Sequence, residues 1–304
     1  MKRTFDIVLI ALTAVTFLGL VLGYAGDLHP FGDSLAVFRA YAGLGLVALG
    51  ALHLIRRHWV VGAGSVLVGA GVFLSLGFVP LGGAAANATA ETKPTYTLYQ
   101  KNLLFLNSAR DELSTDILRR RPDVVTIQEV HKRNARIRNR LTRRMASATY
   151  CDFVGVGGVA VFSRWEMIEG TQQCLWGSAV MQVDAPEGPL WVISTHLHWV
   201  FPYENAEQVA DLVPALAALE GPKVIGGDFN TVPWSDGFRD YAAAADVKRI
   251  GRVEVSIVKA RGALRVPIDH VLVTGGQGRT ELLPLLGSDH RGVWAEFTLP
   301  ETKN

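Results

Sequence analysis

The sequence predicts a mixed α/β domain that follows an apolar membrane anchor. Two observations predict this division: the uneven distribution of apolar and charged residues, and an alternation of β-type runs with amphipathic helical stretches from residue 96 onward. The 304-residue chain is 49% hydrophobic and 19% charged, with a mean hydropathy of +0.22, which is too apolar for an ordinary water-soluble domain of this length.

The apolar excess belongs to the first 80 residues. They contain five Lys or Arg and three Asp or Glu, which leaves 25 of each kind for residues 81–304. The remainder of the chain therefore has a balanced, ordinary composition. Such a composition argues against intrinsic disorder, a disulfide-stapled miniprotein and a strongly basic nucleic-acid coat protein.

Three apolar runs, at residues 5–26, 34–55 and 59–80, are each close to the ~20 residues that a helix needs to cross a bilayer. The first run follows Lys2 and Arg3, so a cleaved signal peptide is the alternative interpretation of that run. Because two further runs follow it, the pattern favours three transmembrane helices that anchor the protein.

The orientation of the anchor follows from the charges of its loops, since Lys and Arg are retained on the cytoplasmic side. Such residues precede the first run and separate the second from the third, whereas the loop at residues 27–33 has neither. This pattern predicts a cytoplasmic N-terminus, three crossings and a location outside the cytoplasm for residues 81–304. Arg39 lies inside the second run, where we expect it to reach the outer interface or to pair with Asp33.

Residues 82–95 are small and polar without periodicity, which predicts a linker between an anchor at residues 1–81 and a domain at residues 96–304. In that domain the predicted strands are 96–102, 123–129, 150–156, 158–163, 178–184, 190–196, 223–228, 253–259, 268–273 and 292–298. The predicted helices are 109–120, 132–147, 203–219 and 236–245.

Several predicted strands end in polar residues that hydrophobic packing does not explain. These residues are Glu129, His196, Asp228 and Asn230, followed by the clusters 267–273 and 287–292. Strand ends of α/β sheets are where sites are usually assembled. Because the group combines carboxylates, an amide and imidazoles without cysteine, it suits Mg²⁺ or Mn²⁺ better than a structural zinc ion.

Six short motifs carry a resemblance to a known family. They are YQKNL at 99–103, IQE at 127–129, STH at 194–196, GGDFN at 226–230, IDHV at 268–271 and SDH at 288–290. In this order they resemble the motifs of the endonuclease/exonuclease/phosphatase family, which includes deoxyribonuclease I, abasic-site endonucleases, inositol-polyphosphate phosphatases and neutral sphingomyelinases. The resemblance covers about residues 96–300 and implies a four-layer α/β sandwich, in which two packed mixed sheets are flanked by helices.

The resemblance also implies site residues and a metal-dependent phosphoester hydrolysis. The implied ligands of a Mg²⁺ or Mn²⁺ ion are Asn102, Glu129 and Asp289. The implied catalytic residues are His196, Asp228, Asn230, Asp269 and His290. In this assignment His290, oriented by Asp269, is the general base for the attacking water, and His196 stabilises developing charge or protonates the leaving group. Asp228 and Asn230 orient the water and a phosphoryl oxygen.

Two further features are candidates for substrate binding. Residues 131–144 contain seven Lys or Arg and no acid, and at helical spacing Arg133 and Arg136 share a face. That face either is merely solvated or contacts anionic lipid head groups or a polyanionic substrate. Trp199 and Trp234 follow catalytic motifs and either pack in the core or face the substrate.

Cys151 and Cys174 are the only cysteines, and the predicted topology places both in an oxidising compartment. They flank a predicted hairpin at residues 158–172. Both a disulfide and two buried free thiols fit the sequence.

The leading functional hypothesis is a membrane-anchored phosphohydrolase that acts outside the cytoplasm on a lipid-linked phosphate or diphosphate. The anchor confines the site near the bilayer, and the zero net charge of residues 81–304 provides no basic field for a duplex. The architecture is similar to that of bacterial membrane proteins of the family linked to glycopeptide resistance, for which isoprenoid diphosphate is the proposed substrate. The alternatives are an extracytoplasmic nuclease of DNA or RNA and a non-catalytic membrane-binding module. No protein partner follows from the sequence.

Overall fold

A computed structural model defines residues 2–78 and 96–300 of the chain, and the predicted linker at 82–95 lies outside these described residues. The helices are α1 (Lys2–Leu22), α2 (Phe31–Ala36), α3 (Arg39–Ile55), α4 (Trp59–Ser75), α5 (Arg110–Arg120), α6 (Ala135–Thr142), α7 (Asn205–Ala217) and α8 (Asp236–Ala244). The strands are β1 (Tyr96–Asn102), β2 (Val124–Val130), β3 (Ser147–Val154), β4 (Gly157–Ser163), β5 (Gln173–Leu175), β6 (Ser178–Ala185), β7 (Gly188–His196), β8 (Lys223–Asp228), β9 (Lys248–Arg249), β10 (Ile257–Lys259), β11 (Leu264–Val266), β12 (Asp269–Val273), β13 (Gln277–Leu282) and β14 (Val293–Thr298).

The N-terminal helices α1, α3 and α4 pack together. Glycines bring α3 and α4 close, since a Cβ atom at Gly50 would lie 2.8 Å from the carbonyl oxygen of Gly62. Helix α1 is joined to α3 by polar contacts, among them the bond that Arg56 Nε donates to Asp6 Oδ1 at 2.9 Å. Among the described helices, α1 with 21 residues is the one long and apolar enough to cross a membrane, whereas α3 and α4 have 17 each.

The apolar run at residues 34–55 is two helices in the structure. Helix α2 ends at Ala36 and α3 begins at Arg39, so the chain turns between them. The turn arises because Ala36 and Val37 are buried against the C-terminal domain. One of the two expectations for Arg39, a pair with Asp33, is wrong. The Arg39 guanidinium donates instead to the backbone carbonyls of Gly23 and Trp234.

Two six-stranded mixed sheets form the C-terminal domain, as expected from the resemblance. Sheet 1 has the order β13-β14-β1-β2-β4-β3, and sheet 2 has the order β5-β6-β7-β8-β12-β9. Each sheet has one parallel pair at its centre, β1 with β2 and β7 with β8, while the other pairs are antiparallel. The short strands β10 and β11 form a separate antiparallel hairpin.

The hydrophobic core has three layers of apolar contact. Inward-facing residues of both sheets, such as Leu98 of sheet 1 and Val192 of sheet 2, form the central layer. Helices α5 and α6 cover the outer face of sheet 1 through residues such as Ile117. Helices α7 and α8 cover sheet 2, with Leu212 among the buried residues. Because both faces of each sheet are covered, the central strands β1, β2 and β8 are buried at almost every position.

Some predicted boundaries are wrong. The helix predicted at 132–147 ends at Thr142, because Ser147 already begins an edge strand of sheet 1. Only the last three residues of the strand predicted at 253–259 form β10. Strands β5, β9, β11 and β13 were not predicted, since they are short or have exposed polar residues that give no β-type pattern.

A disulfide joins Cys151 of β3 to Cys174 of β5. Strands β3 and β5 are the edge strands of sheet 1 and sheet 2, respectively, so the bridge closes one side of the sandwich. Of the two alternatives that the sequence left open, the structure therefore has the disulfide.

Candidate active site

The period of the strands places polar groups between the two sheets at one end of the sandwich. Side chains alternate along a strand, so every second residue faces the opposite sheet. Strand β7 has Val192, Ser194 and His196 on its inward face, and the pattern changes from apolar to polar as the strand ends. In β8 the inward residue at the end is Asp228, which is paired in register with both His196 and Asp269.

Asp228 lies between two histidines and close to a second carboxylate. Its Oδ2 atom is 3.7 Å from His196 Nε2 and 3.8 Å from His290 Nε2. The Nδ1 atom of His290 is bonded to Asp269 Oδ2 at 2.8 Å, so Nε2 is the nitrogen that points to Asp228. All four side chains are buried, and the structure therefore brings together four of the five predicted catalytic residues.

Burial and charge shift the pKa values of this cluster in different directions. Burial alone would lower the pKa of His290, but the negative charges of Asp269 and Asp228 outweigh it and raise this pKa to about 9. Burial, with the nearby charge of Asp269, raises the pKa of Asp228 to about 7. Burial also lowers the pKa of His196 to about 3, so this imidazole is neutral. The arrangement favours an ion pair of Asp269 with His290 beside a neutral His196.

Sheet 1 contributes a hydrogen-bonded pair to the same end. The amide nitrogen of Asn102 donates to Glu129 Oε1 at 3.1 Å and to Asp228 Oδ2 at 2.9 Å, which links the two sheets. The second oxygen of Glu129 accepts a bond from the backbone nitrogen of Phe105 at 2.9 Å. Glu129 has a left-handed backbone with φ of 55°, next to a shift in the register of β2. Non-glycine residues with this strain are concentrated at functional sites.

The fifth predicted catalytic residue, Asn230, also has a left-handed backbone, with φ of 48°. Its backbone nitrogen donates to Asp228 Oδ1 at 3.0 Å, and its side-chain nitrogen donates to the carbonyl oxygen of Leu197 at 2.7 Å. Asn230 therefore fixes the loop after β8 against the loop after β7.

The donor set fits a hard divalent cation. Ligand atoms of Asp228, Asp269 and His290 lie within 4.8 Å of one another, and carboxylate oxygens are the donors that Mg²⁺ and Mn²⁺ prefer. Asp289 adds a buried oxygen, Oδ1, which has no hydrogen-bond partner among the described residues. Its other oxygen lies 3.5 Å from Lys259 Nζ. The cluster of Asp228, Asp269 and His290 differs from the predicted ligands Asn102, Glu129 and Asp289, which border it.

Three buried residues that the sequence analysis did not single out support the cluster. Gln100 Nε2 donates to Asp269 Oδ1 at 3.0 Å, and Ser288 Oγ accepts a bond from the backbone nitrogen of His290 at 3.0 Å. Lys101 Nζ donates to the carbonyl oxygen of His290, and burial lowers the pKa of Lys101 to about 8. Two features of the β1 sequence could have indicated these roles. Side-chain alternation places Gln100 on the inward face, and Lys101 is a charged residue within a buried strand.

The predicted substrate-binding residues are in different surroundings. Arg136 pairs with Asp111 at 3.2 Å on an exposed surface, whereas Arg133 is exposed and accepts a bond from Arg110 at its carbonyl oxygen. Trp199 is half-buried, and Lys259 Nζ lies 5.5 Å from the centre of its ring. The sequence left open whether Trp234 packs in the core or faces the substrate. In the structure Trp234 packs against the cluster that contains Ala36, and its Nε1 atom donates to the carbonyl oxygen of Ala36 at 2.8 Å.

Comparisons with known proteins agree with this geometry. A model described as "Endonuclease/Exonuclease/phosphatase family" matches residues 100–290. The chain belongs to this family, and it is a metal-dependent phosphoester hydrolase. The resemblance expected from the six motifs is thereby confirmed.

Curated relatives match a shorter part of the chain. The UPF0294 proteins VV2535 and VV1_1880 of Vibrio vulnificus are each 35% identical to this chain over 104 residues. The match covers 33% of this chain and 36% of each relative.

Solved structures share the fold at low sequence identity. Truncated Caenorhabditis elegans TDP2 has a TM-score of 0.53 at 14% identity, over 67% of this chain and 98% of that chain. A mutant of Staphylococcus aureus beta toxin with bound magnesium ions has a TM-score of 0.52 at 13% identity, over 67% of this chain and 100% of the toxin. At these identities the likeness shows the fold alone.

Proposed function

We propose that this chain is a membrane-anchored, Mg²⁺- or Mn²⁺-dependent hydrolase of a lipid-linked phosphate or diphosphate, with its catalytic domain outside the cytoplasm. The observation that carries the proposal is the packing of the active-site loops against one end of the N-terminal helices. In the proposed organisation residues 1–81 form the anchor, 82–95 the linker and 96–304 the catalytic domain.

The contact between anchor and domain is a buried apolar cluster. Ala36 and Val37 of the N-terminal part pack with Val200, Val232 and Ile268. Val200 lies in the loop after β7, Val232 lies in the loop after β8, and Ile268 directly precedes β12. These are the segments next to the buried histidines and carboxylates, so the active site lies beside this end of the helices.

Aromatic residues extend the contact. The ring of Phe201 lies 5.4 Å from that of His29 and 6.1 Å from that of Phe31, measured between ring centres. Phe201, Tyr203 and Val258 are exposed large apolar residues near the active-site loops. In a bilayer this surface would lie at the level of the lipid head groups, where aromatic side chains are favoured. A lipid phosphate at that level would be within reach of the site.

The distribution of charge supports the proposed orientation. Lys2 and Arg3 begin α1, and Arg56 and Arg57 follow α3, so these basic residues lie at the helix ends away from the catalytic domain. Because basic residues are retained in the cytoplasm, this distribution supports a location outside the cytoplasm for the other end. Helices α3 and α4 with 17 residues are about 26 Å long, slightly less than the hydrocarbon core. Packing of α1 on α3 favours a retained anchor over a cleaved signal peptide.

In the proposed mechanism His290 accepts a proton from the attacking water at Nε2. Asp269 holds Nδ1 and stabilises the imidazolium that forms, while Asp228 orients the water. His196 is neutral, so it donates a hydrogen bond to developing charge or to the leaving oxygen rather than carrying a positive charge. Asn230 holds the loop on which these contacts depend.

Glu129 and Asp289, with Asn102 beside them, would hold a Mg²⁺ or Mn²⁺ ion, whose positive charge would neutralise the phosphoryl oxygens and favour the neutral form of His290. Trp199 and Arg133 are proposed to contact the substrate outside this centre, and Arg136 is proposed to do so when its pair with Asp111 opens. Placement and electrostatics then account for catalysis, and no covalent intermediate is needed.

The test uses the full chain in lipid nanodiscs with Mg²⁺ or Mn²⁺. Release of phosphate from a polyprenyl diphosphate is measured beside cleavage of plasmid and single-stranded DNA. We expect turnover of the lipid substrate and its loss in His290→Ala. Robust DNA cleavage without lipid turnover would overturn the proposal in favour of a nuclease, and no turnover of either substrate would favour a binding module.

Topology is tested separately. A reporter fused at Asn304 is expected to signal from outside the cytoplasm, and a cytoplasmic signal would refute the proposed orientation.

A further inference from the structure

The N-terminus of α8 is capped by a residue from α2. Asp33 Oδ1 accepts a bond from the backbone nitrogen of Asp236 at 2.8 Å, and Asp33 Oδ2 accepts one from Gly237 at 2.9 Å. Ser235 satisfies the next free group, the backbone nitrogen of Phe238. A carboxylate at this position also interacts favourably with the helix dipole. The first turn of α8 is therefore completed by a side chain about 200 residues earlier in the sequence.

Two more hydrogen bonds fix the segment before α8. Arg39 Nη1 donates to the carbonyl oxygen of Trp234 at 3.1 Å, and Trp234 Nε1 donates back to the carbonyl oxygen of Ala36 at 2.8 Å. Arg39 and Asp33 are both buried, and the Arg39 guanidinium also stacks over the ring of Tyr24 at 3.8 Å from its centre. Buried charged groups with several partners hold their geometry because each broken bond leaves an uncompensated group.

The segment held in this way begins at the catalytic cluster. Asn230 lies two residues after Asp228, and its backbone nitrogen donates to Asp228 Oδ1. Thr231 Oγ1 then donates to Ser235 Oγ at 2.9 Å. Six residues separate Asn230 from Gly237, so a displacement of the α8 N-terminus is transmitted through a short, bonded loop.

We propose that α2 and the start of α3 are a positioning element of the active site, in which Asp33 and Arg39 hold residues 230–237 so that Asp228 and Asn230 keep their catalytic geometry. The N-terminal helices would then serve catalysis directly, in addition to any role in membrane attachment. This inference needs the phosphoester hydrolase activity of the family, and it does not depend on a lipid substrate.

The experiment uses the full chain in detergent micelles with Mn²⁺ and bis(p-nitrophenyl) phosphate, a probe that requires no membrane. Asp33→Asn is expected to lower kcat about 10- to 100-fold with KM changed by less than about threefold, because the loop is misplaced and the substrate contacts remain. Hydrogen–deuterium exchange at residues 230–238 should become faster in the same variant. Trp234→Phe, which keeps the ring and removes the Nε1 donor, should have smaller effects of the same kind.

Asp27→Asn is the matched control, since Asp27 is an exposed carboxylate six residues before Asp33, in the loop that precedes α2. It should leave kcat and exchange unchanged. Wild-type kcat and wild-type exchange in Asp33→Asn would overturn the proposal. If Asp33→Asn does not fold, unchanged exchange and kcat in Trp234→Phe would overturn it. Faster exchange with wild-type kcat in Asp33→Asn would also overturn the proposal, because Asp33 would then only cap α8.

Discussion

The two sheets of the sandwich have the same number of strands and the same central parallel pair, but they contribute different chemistry to the site. Sheet 1 contributes Asn102 and Glu129, and the side-chain amide of Asn102 donates a hydrogen bond to the carboxylate of Glu129. Sheet 2 contributes His196, Asp228 and Asp269, which are buried and interact through charge. Among the proposed catalytic residues, the pKa shifts therefore fall on sheet 2 and on His290, whose Nδ1 atom is bonded to Asp269.

The sheets also differ in what covers their loops. The loops after β7 and β8 of sheet 2 contact the N-terminal helices, whereas helices α5 and α6 pack on the outer face of sheet 1. The contact with the N-terminal helices therefore involves the loops of the sheet that carries His196, Asp228 and Asp269, whereas the outer face of sheet 1 is covered by α5 and α6. Substitutions in the two sheets should therefore fail in different ways.

The largest effect is expected for Asp269→Asn in sheet 2. The variant removes the charge that orients and stabilises His290, so kcat should fall about 10³-fold. Steady-state hydrolysis of bis(p-nitrophenyl) phosphate measures this change. Asp240→Asn, an exposed carboxylate on α8, is the control and should retain wild-type kcat. A decrease of less than tenfold in Asp269→Asn would contradict the assigned role.

A different failure is expected in sheet 1. Removal of divalent ions with EDTA should abolish turnover, and added Mg²⁺ or Mn²⁺ should restore it. Glu129→Gln should raise the metal concentration for half-maximal activity at least about tenfold, because an amide lacks the charge of the carboxylate. Titration of activity with Mg²⁺ measures this shift. An unchanged metal dependence in Glu129→Gln would remove Glu129 from the ligand set.

The disulfide between the edges of the two sheets should affect stability without affecting chemistry. Replacing Cys151 and Cys174 with serine should lower the free energy of unfolding by about 3 kcal/mol, since the bridge closes a loop of 23 residues. Thermal unfolding with and without reductant measures this loss, and reduced wild-type protein is the control. Two alkylated cysteines in non-reduced wild-type protein would contradict the bridge.

The smallest effect is expected on the helix side of sheet 1. Arg136→Ala removes an exposed ion pair with Asp111 and should change the free energy of unfolding by less than about 0.5 kcal/mol. Hydrolysis of bis(p-nitrophenyl) phosphate should be unchanged, because this probe is too small to reach α6. A large loss of stability would show that the basic surface of α6 has a structural role.

The strand ends that carry the site were predictable because their chemistry conflicts with packing. Glu129, His196 and Asp228 each end an apolar run, and the family motifs assign roles to them. Gln100 and Ser288 were missed because one polar residue within a strand or loop has many structural explanations. Their function depends on partners in distant segments, Asp269 and His290, which no local pattern identifies.

The amino-acid sequence was sufficient to predict the division into an apolar N-terminal part and an α/β domain, the family, and the residues at the strand ends. These features depend on local composition and on the period of side chains along a strand, which are properties of neighbouring residues. The break between α2 and α3, the partners of Asp33 and Arg39, and the packing of Trp234 are visible only in the folded structure. They depend on apolar contacts and hydrogen bonds between segments about 200 positions apart, which stabilise the chain only when both segments are folded together.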